Sequence, residues 1–278
     1  MTAFDDLVAS LLDELFALRP DLATAVGDPR YDDRWPDTSE AGRQERLAFA
    51  ARWTATFSAL EAATLAADEQ VDRDLVLGEL AALRFTEAEL RQETWDPLAW
   101  VYLLGMGLLP LTTRDFAPLH VRLASMAGRL EGIPRIIADA QETLGSGSRP
   151  VSRLHAEVAG QRISGIADLG RGAVAVAEAA APNDPDVAAV LPRLRAAADA
   201  AETVLTAIGR HLAAEVAPSA KGDAALGYDL FAAKLRHTLQ DPAATPEAVL
   251  ARAEAEFAAV RAEMVRIARE IWPAWRPD

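Results

Sequence analysis

Four histidines, no cysteine and a scatter of carboxylates make up the chain's inventory for metal and nucleophile chemistry. A helical zinc hydrolase usually presents two histidines four residues apart with a glutamate between them, so that one face holds the metal while the carboxylate activates water. Here His120, His155, His211 and His237 all lie more than four positions from one another. His211 and Glu215 stand at i and i+4, two ligand types on one helical face, but that spacing is also an ordinary helix-surface contact. The lack of cysteine excludes thiolate metal sites, disulfides and a thiol nucleophile. Asp72 and Asp74 flank Arg73 near a helix start, where carboxylates favour the helix dipole without any catalytic role. The run Tyr31, Asp32, Asp33, Arg34, Trp35 offers charge and aromatic surface to a polar ligand, yet it also reads as an aspartate-rich loop ahead of a helix cap. The glycines of GMG and GSGS follow no strand and so cradle no phosphate. The expectation is a chain with no metal, no cofactor and no catalytic residue of its own.

The elements that would position any binding group are helices. Apolar residues recur at helical spacing through Phe4, Leu7, Val8, Leu11, Leu12, Leu15 and Phe16, and period-2 alternation is absent throughout. Half the residues are apolar but only 6% are aromatic, and alanine is abundant, which favours helices packed closely on helices. The spacing predicts an all-α fold, an elongated array of about nine helices arranged largely as antiparallel hairpins within one domain, 1–278. Helices are expected over 37–66, 68–93, 133–144, 151–180, 184–216, 220–239 and 247–271. Thr245 should cap the last one, with Pro246 in its first turn.

One stretch departs from this regularity. Between Arg91 and Pro134, the large side chains Trp95, Trp100, Tyr102 and Phe116 alternate with Pro97, Pro110, Pro118 and Pro134, around Gly105 and Gly107. Proline removes a donor and fixes φ, so several bends are expected within a buried segment. From Leu98 to Leu111 it is apolar without a charge, too short for the roughly 20 residues of a membrane helix. Bends on a rigid helical frame commonly carry binding groups, and Trp95, Tyr102 and Arg114 are the candidates to face a ligand or a partner surface.

Charge narrows the partners. With 42 acidic residues against 28 basic ones the formal charge is −14, a field that repels nucleic acid and anionic lipid. Only Lys221 and Lys234 are lysines. The N-terminal run has early aspartates and no basic region of a secretory signal, which makes a cytoplasmic location the expectation.

Several segments together resemble the N-terminal half of the bacterial proteins catalogued as domain of unknown function 885. They are ALRPDLATAVGDPRYDDRWPDTS, DRDLVLGELAALRF, the long run from WDPLAWVYLLGMGLLPLTTRDF to IADAQETL, GYDLFAAKLRHTL and TPEAVLARAEAEFAAVRAEM. That family is similar to helical zinc metallopeptidases of the thermostable carboxypeptidase type. The resemblance implies a second half of comparable length carrying a His-Glu-x-x-Pro-Gly-His motif, a further glutamate ligand and the zinc. No position of this sequence matches that motif, so the resemblance carries over a helical wall of a substrate cleft and no catalytic residue. Trp272 and Trp275, near the C-terminus in IWPAWRPD, are expected to pack on something. The expected partner is the missing C-terminal half or, failing that, a second copy through an exposed apolar patch. Three alternatives stay open: a stand-alone helical protein binding a peptide or small apolar ligand, a scaffold acting through partner helices, and a hydrolase assembled from dispersed side chains.

Overall fold

The computed structural model describes residues 2–276, and among them every regular element is helical. They divide into two compact units, one ending at Ala225 and the other beginning at Leu226.

The first unit has two cores. The smaller joins α1 (Ala3–Leu18), α3 (Glu40–Ser58) and α4 (Ala67–Phe85) around Phe4, Leu11, Phe49, Trp53, Phe57 and Leu80. The larger joins α5 (Pro97–Thr113), α6 (Leu119–Thr143), α7 (Arg153–Ala180) and α8 (Pro185–His211). Short polar side chains start these helices: Ser39 caps α3, Asp96 caps α5, Ser152 caps α7 and Asp184 caps α8, each accepting from a backbone N–H otherwise left unpaired. The buried faces of α7 and α8 are rich in small residues, among them Ala156, Ala159, Gly170, Ala173 and Ala177 against Ala197, Ala198 and Ala201. Small side chains let the axes approach closely. At Gly160 the approach is to backbone, since a Cβ there would lie 3.3 Å from the carbonyl oxygen of Gly209.

The proline-rich stretch bends less than its sequence implies. Pro97 takes the first position of α5 and Pro118 caps α6, but Pro110 and Pro134 sit inside continuous helices. The stretch does bend at its start, where left-handed Arg91 leads into a 3₁₀ turn at Gln92–Thr94, but from Pro97 on it is two helices joined by one turn. α6 accordingly begins 14 residues before the expected Ile133. One face of α5 is buried, with Trp100, Leu104, Leu108 and Leu111 in the core, while its apolar opposite face leaves Tyr102, Met106 and Leu109 exposed. Three other boundaries differ: α3, expected to run to residue 66, ends at Ser58, and a separate 3₁₀ turn follows at Ala62–Thr64. α4 gives way at Thr86 to a π-helical turn ending at Leu90, and residues 220–227 are not helical.

α2 (Pro20–Val26) and the 3₁₀ turn Pro29–Tyr31 hold a segment that runs across α5 and α6 to Trp35. Its anchor is Arg129 of α6, which is wholly buried. The guanidinium donates to the Asp32 carbonyl at 3.0 Å, the Pro20 carbonyl at 3.1 Å and the Thr24 hydroxyl at 2.8 Å. It also lies 4.7 Å from the centre of the Trp35 ring, whose indole N–H donates to the Arg129 carbonyl at 2.6 Å. Burial lowers the Arg129 pKa to about 10. Gly107 and Gly132 make the notch for Trp35, since a Cβ on either would fall within 2.5 Å of the indole.

The second unit contains α10 (Tyr228–Leu239) and α11 (Pro246–Trp275), with the Tyr228 hydroxyl on Glu247. Thr245 caps α11 and Pro246 opens it, as the sequence predicts. α11 is 30 residues long, and none of its residues is buried.

Candidate functional site

Within the first unit, the N-terminal turn of α5, the C-terminal turns of α6 and the end of α8 enclose a cavity of about 610 Å³. Its inner wall is apolar: Trp100 and Val101 of α5, Ile137 of α6, Ile163 of α7, and Ile208 and Leu212 of the α8 end. Polar groups are confined to the outer lining, namely Gln141, His211, Glu215, Ser219 and Lys221. An apolar interior with a few polar groups at its mouth is the usual constitution of a small-molecule pocket.

Each wall is fixed by local sequence. Asp96 begins α5 by accepting from the Leu98 N–H at 2.9 Å and from the Gln92 amide at 2.8 Å, and the Trp100 indole donates to the Glu93 carbonyl at 3.0 Å. At Gly145, where φ is +87°, the chain leaves α6, and its N–H donates to the Thr94 carbonyl at 2.6 Å, joining the end of α6 to the start of α5. α8 changes pitch after His211: Leu212–Val216 form a π-helical turn, followed by the short α9 (Ala217–Ser219). π turns of this kind recur where a helix is adapted to a site. Beyond α9, the Gly222 N–H donates to the Val151 carbonyl at 2.8 Å, and a Cβ on Gly222 would collide with the Pro150 carbonyl. That contact holds neighbouring Lys221 at the cavity mouth.

His211 and Glu215 are joined at the mouth, Nδ1 to Oε2 at 3.3 Å, with the glutamate the more exposed. The pair forms the i, i+4 contact foreseen from the sequence. Among the described residues, no three histidine or carboxylate side chains converge as metal ligands, and no helix is long and apolar enough to cross a membrane.

The structure does not bring Trp95, Tyr102 and Arg114 together. Trp95 is sealed beneath the α5 start, its indole N–H on the Leu90 carbonyl at 2.9 Å, the Arg149 guanidinium 4.6 Å from its ring centre and the His155 ring 6.0 Å away. His155 Nδ1 in turn faces the Asp96 carboxylate at 3.3 Å. Tyr102 is 70% exposed on α5. Arg114 lies past the opposite end of that helix, donating to the Ala25 carbonyl at 2.9 Å; twelve residues of helix put it about 18 Å along the axis from Tyr102. None of the three lines the cavity, although Trp100 and Val101 of the same stretch do. Lys221 was visible in the sequence only as one of two lysines. Its approach to residues more than 100 positions earlier depends on a backbone hydrogen bond that carries no side-chain signal.

In the second unit, α11 carries Leu250, Phe257, Val260, Met264, Ile267 and Ile271 at alternating steps of three and four residues, apart from the small Ala253 between the first two. This is the a/d seam of a helix built to pack on another helix. All six large side chains are exposed, Phe257 by 70% and Met264 by 65%.

Comparison with known proteins gives a family and a fold. The model of the bacterial proteins of unknown function termed DUF885 matches residues 20–276, and the chain belongs to that family. No curated protein matches it. A solved structure of a putative lipoprotein of unknown function from Shewanella oneidensis has the same fold, with a TM-score of 0.77 and 22% identity. The match covers all of the present chain and 50% of that one, so the chain spans half the length of its structural neighbour.

Proposed function

We propose that this DUF885 chain acts as a helical lobe of a longer zinc-metallopeptidase-like protein, forming a wall of its substrate cleft and contributing no catalytic group. The observation that carries the reading is the uncovered seam of α11. Each large apolar side chain left in water forgoes roughly 1.5–3 kcal/mol of burial free energy, and six in one heptad register are placed to recover it against a partner helix. The occupant proposed is the remainder of the protein, which the double length of the structural neighbour supports. The peptidase character rests on the sequence resemblance alone, and zinc belongs in this reading to the other half.

In the isolated 278-residue chain the seam should find a substitute. Light scattering after size exclusion should show concentration-dependent association, accompanied by binding of a hydrophobic dye. Phe257→Glu with Met264→Glu should abolish the association and lower the dye signal while leaving the helical circular dichroism intact. A wild-type chain that stays monomeric and dye-free at high concentration refutes the docking seam. Peptide cleavage by the zinc-loaded chain, lost on His211→Ala, would instead favour the dispersed-site hydrolase.

A further inference from the structure

We infer that the cavity between α5, α6 and the end of α8 binds a soluble amphiphilic monocarboxylate, an unbranched alkyl chain ending in a single carboxylate. The tail lies on the inner wall and the head group meets Lys221 at the mouth. The inference is independent of the α11 seam and of any peptidase character.

The lining selects the tail. A space of about 610 Å³ walled by Trp100, Ile137, Ile163, Ile208 and Leu212 favours hydrocarbon and gives a polar body no buried partner. The mouth selects the head. The chain as a whole is strongly acidic, yet Lys221 forms no ion pair among the described residues. The acidic group of the lining, Glu215, is exposed and lies 3.3 Å from His211 Nδ1. The permanent cation of the lining is the ammonium of Lys221, and the exposed Gln141 amide supplies a neutral donor. The Gly222–Val151 hydrogen bond fixes the backbone of this segment before any ligand arrives, which limits the ordering required on binding. One positive site suits one carboxylate.

Titration calorimetry on the 278-residue chain with decanoate, decanol and decyltrimethylammonium tests each half of the inference. Decanoate should bind with one equivalent, decanol more weakly, and the quaternary ammonium weakest. Shortening to octanoate should weaken binding roughly ten- to twentyfold, as expected for two buried methylenes. Lys221→Ala, an exposed change that leaves the Gly222 backbone bond in place, should weaken decanoate about tenfold and leave decanol unchanged. Val216→Trp, which fills the cavity, should remove both. The Phe257→Glu, Met264→Glu chain should bind decanoate like the wild type, which separates the cavity from the seam. The inference is overturned if decanoate and the ammonium bind alike, if Lys221→Ala has no effect, or if the seam variant loses binding. Lys221-dependent sedimentation with phosphatidylglycerol vesicles would likewise overturn a soluble ligand in favour of a lipid surface.

Discussion

Replacing Arg129 by methionine tests whether the 20–36 segment is held by one buried cation. The substitution keeps an unbranched side chain of similar reach but removes three hydrogen bonds of 2.8–3.1 Å and the cation over Trp35. Hydrogen bonds from a charged donor are worth about 1.5–3 kcal/mol each, so the gross loss is large. Against it stands relief from burying a guanidinium, a desolvation strong enough to bring the Arg129 pKa to about 10. The balance is set by what stays behind. Asp32, 4% exposed, loses the cation beside it and keeps only the Thr24 hydroxyl, whereas Asp21 keeps its pair with Arg19; the carbonyls of Pro20, Tyr31 and Asp32 lose their donor. Orphaning one member of a buried ionic group costs about 3–5 kcal/mol. Urea unfolding should show that loss, and the melting temperature should fall by roughly 6–20 °C. Trypsin should also cut at Arg30 or Arg34 under conditions that leave the wild type whole, because the segment is released before the helices melt. Arg129→Met within about 1 kcal/mol of the wild type, with unchanged proteolysis, would show that the desolvation relief cancels the lost bonds and that Trp35, with the hydrogen bonds of Arg114 to Ala25 and Arg135 to Pro36, holds the segment.

Two further perturbations follow from local geometry and charge. Gly107→Ala places a Cβ 2.2 Å from the Trp35 ring and should cost about 1–3 kcal/mol in urea unfolding, whereas Gly165→Ala on α7, which meets nothing within 4 Å, should stabilise by about 0.5–1 kcal/mol. Hydrogen bonds from Arg43 and Gln44 pull the Glu40 pKa down to about 2 from 4.5, so its contribution is complete above pH 4.5 and disappears as pH falls toward 2. The site is solvent-facing, which holds that contribution to at most about 1 kcal/mol; Glu40→Gln should therefore lie below the wild type at pH 7 and converge with it near pH 2 in acid titrations followed by circular dichroism.

Helical class was legible because burial imposes a period of 3.6 on every amphipathic element, and caps such as Thr245 and Asp184 mark their own helix starts. The prolines misled where propensity and packing compete. Pro110 and Pro134 lie in helices with one face in the core, and the lost hydrogen bond is outweighed by the buried apolar faces of α5 and α6. Arg129 was invisible because an arginine in a helix ordinarily faces water; only the carbonyls of Pro20 and Asp32, more than 90 positions away, make its burial tolerable. For the cavity, the sequence showed the His211–Glu215 pair and the aromatic stretch separately. Nothing in either signals that the end of α8 turns toward α5, because the π turn is built from Leu, Ala, Ala, Glu and Val, residues equally at home in an ordinary helix.

The backbone approach at Gly160 and Gly209 gives α8 a fulcrum. His211 lies two residues beyond it and Ser219 ten, about 3 and 15 Å at the rise of a helix. A tilt of about 10° at that point would carry Ser219 roughly 2.6 Å while moving His211 only about 0.5 Å. Of the groups at the cavity mouth, His211 thus sits beside the close helix approach, while Lys221 lies far from it, where the hydrogen bond from Gly222 to Val151 ties the chain back to the start of α7. Head-group placement therefore depends on one backbone bond, whereas the histidine side of the mouth is placed by the packing of α8 on α7.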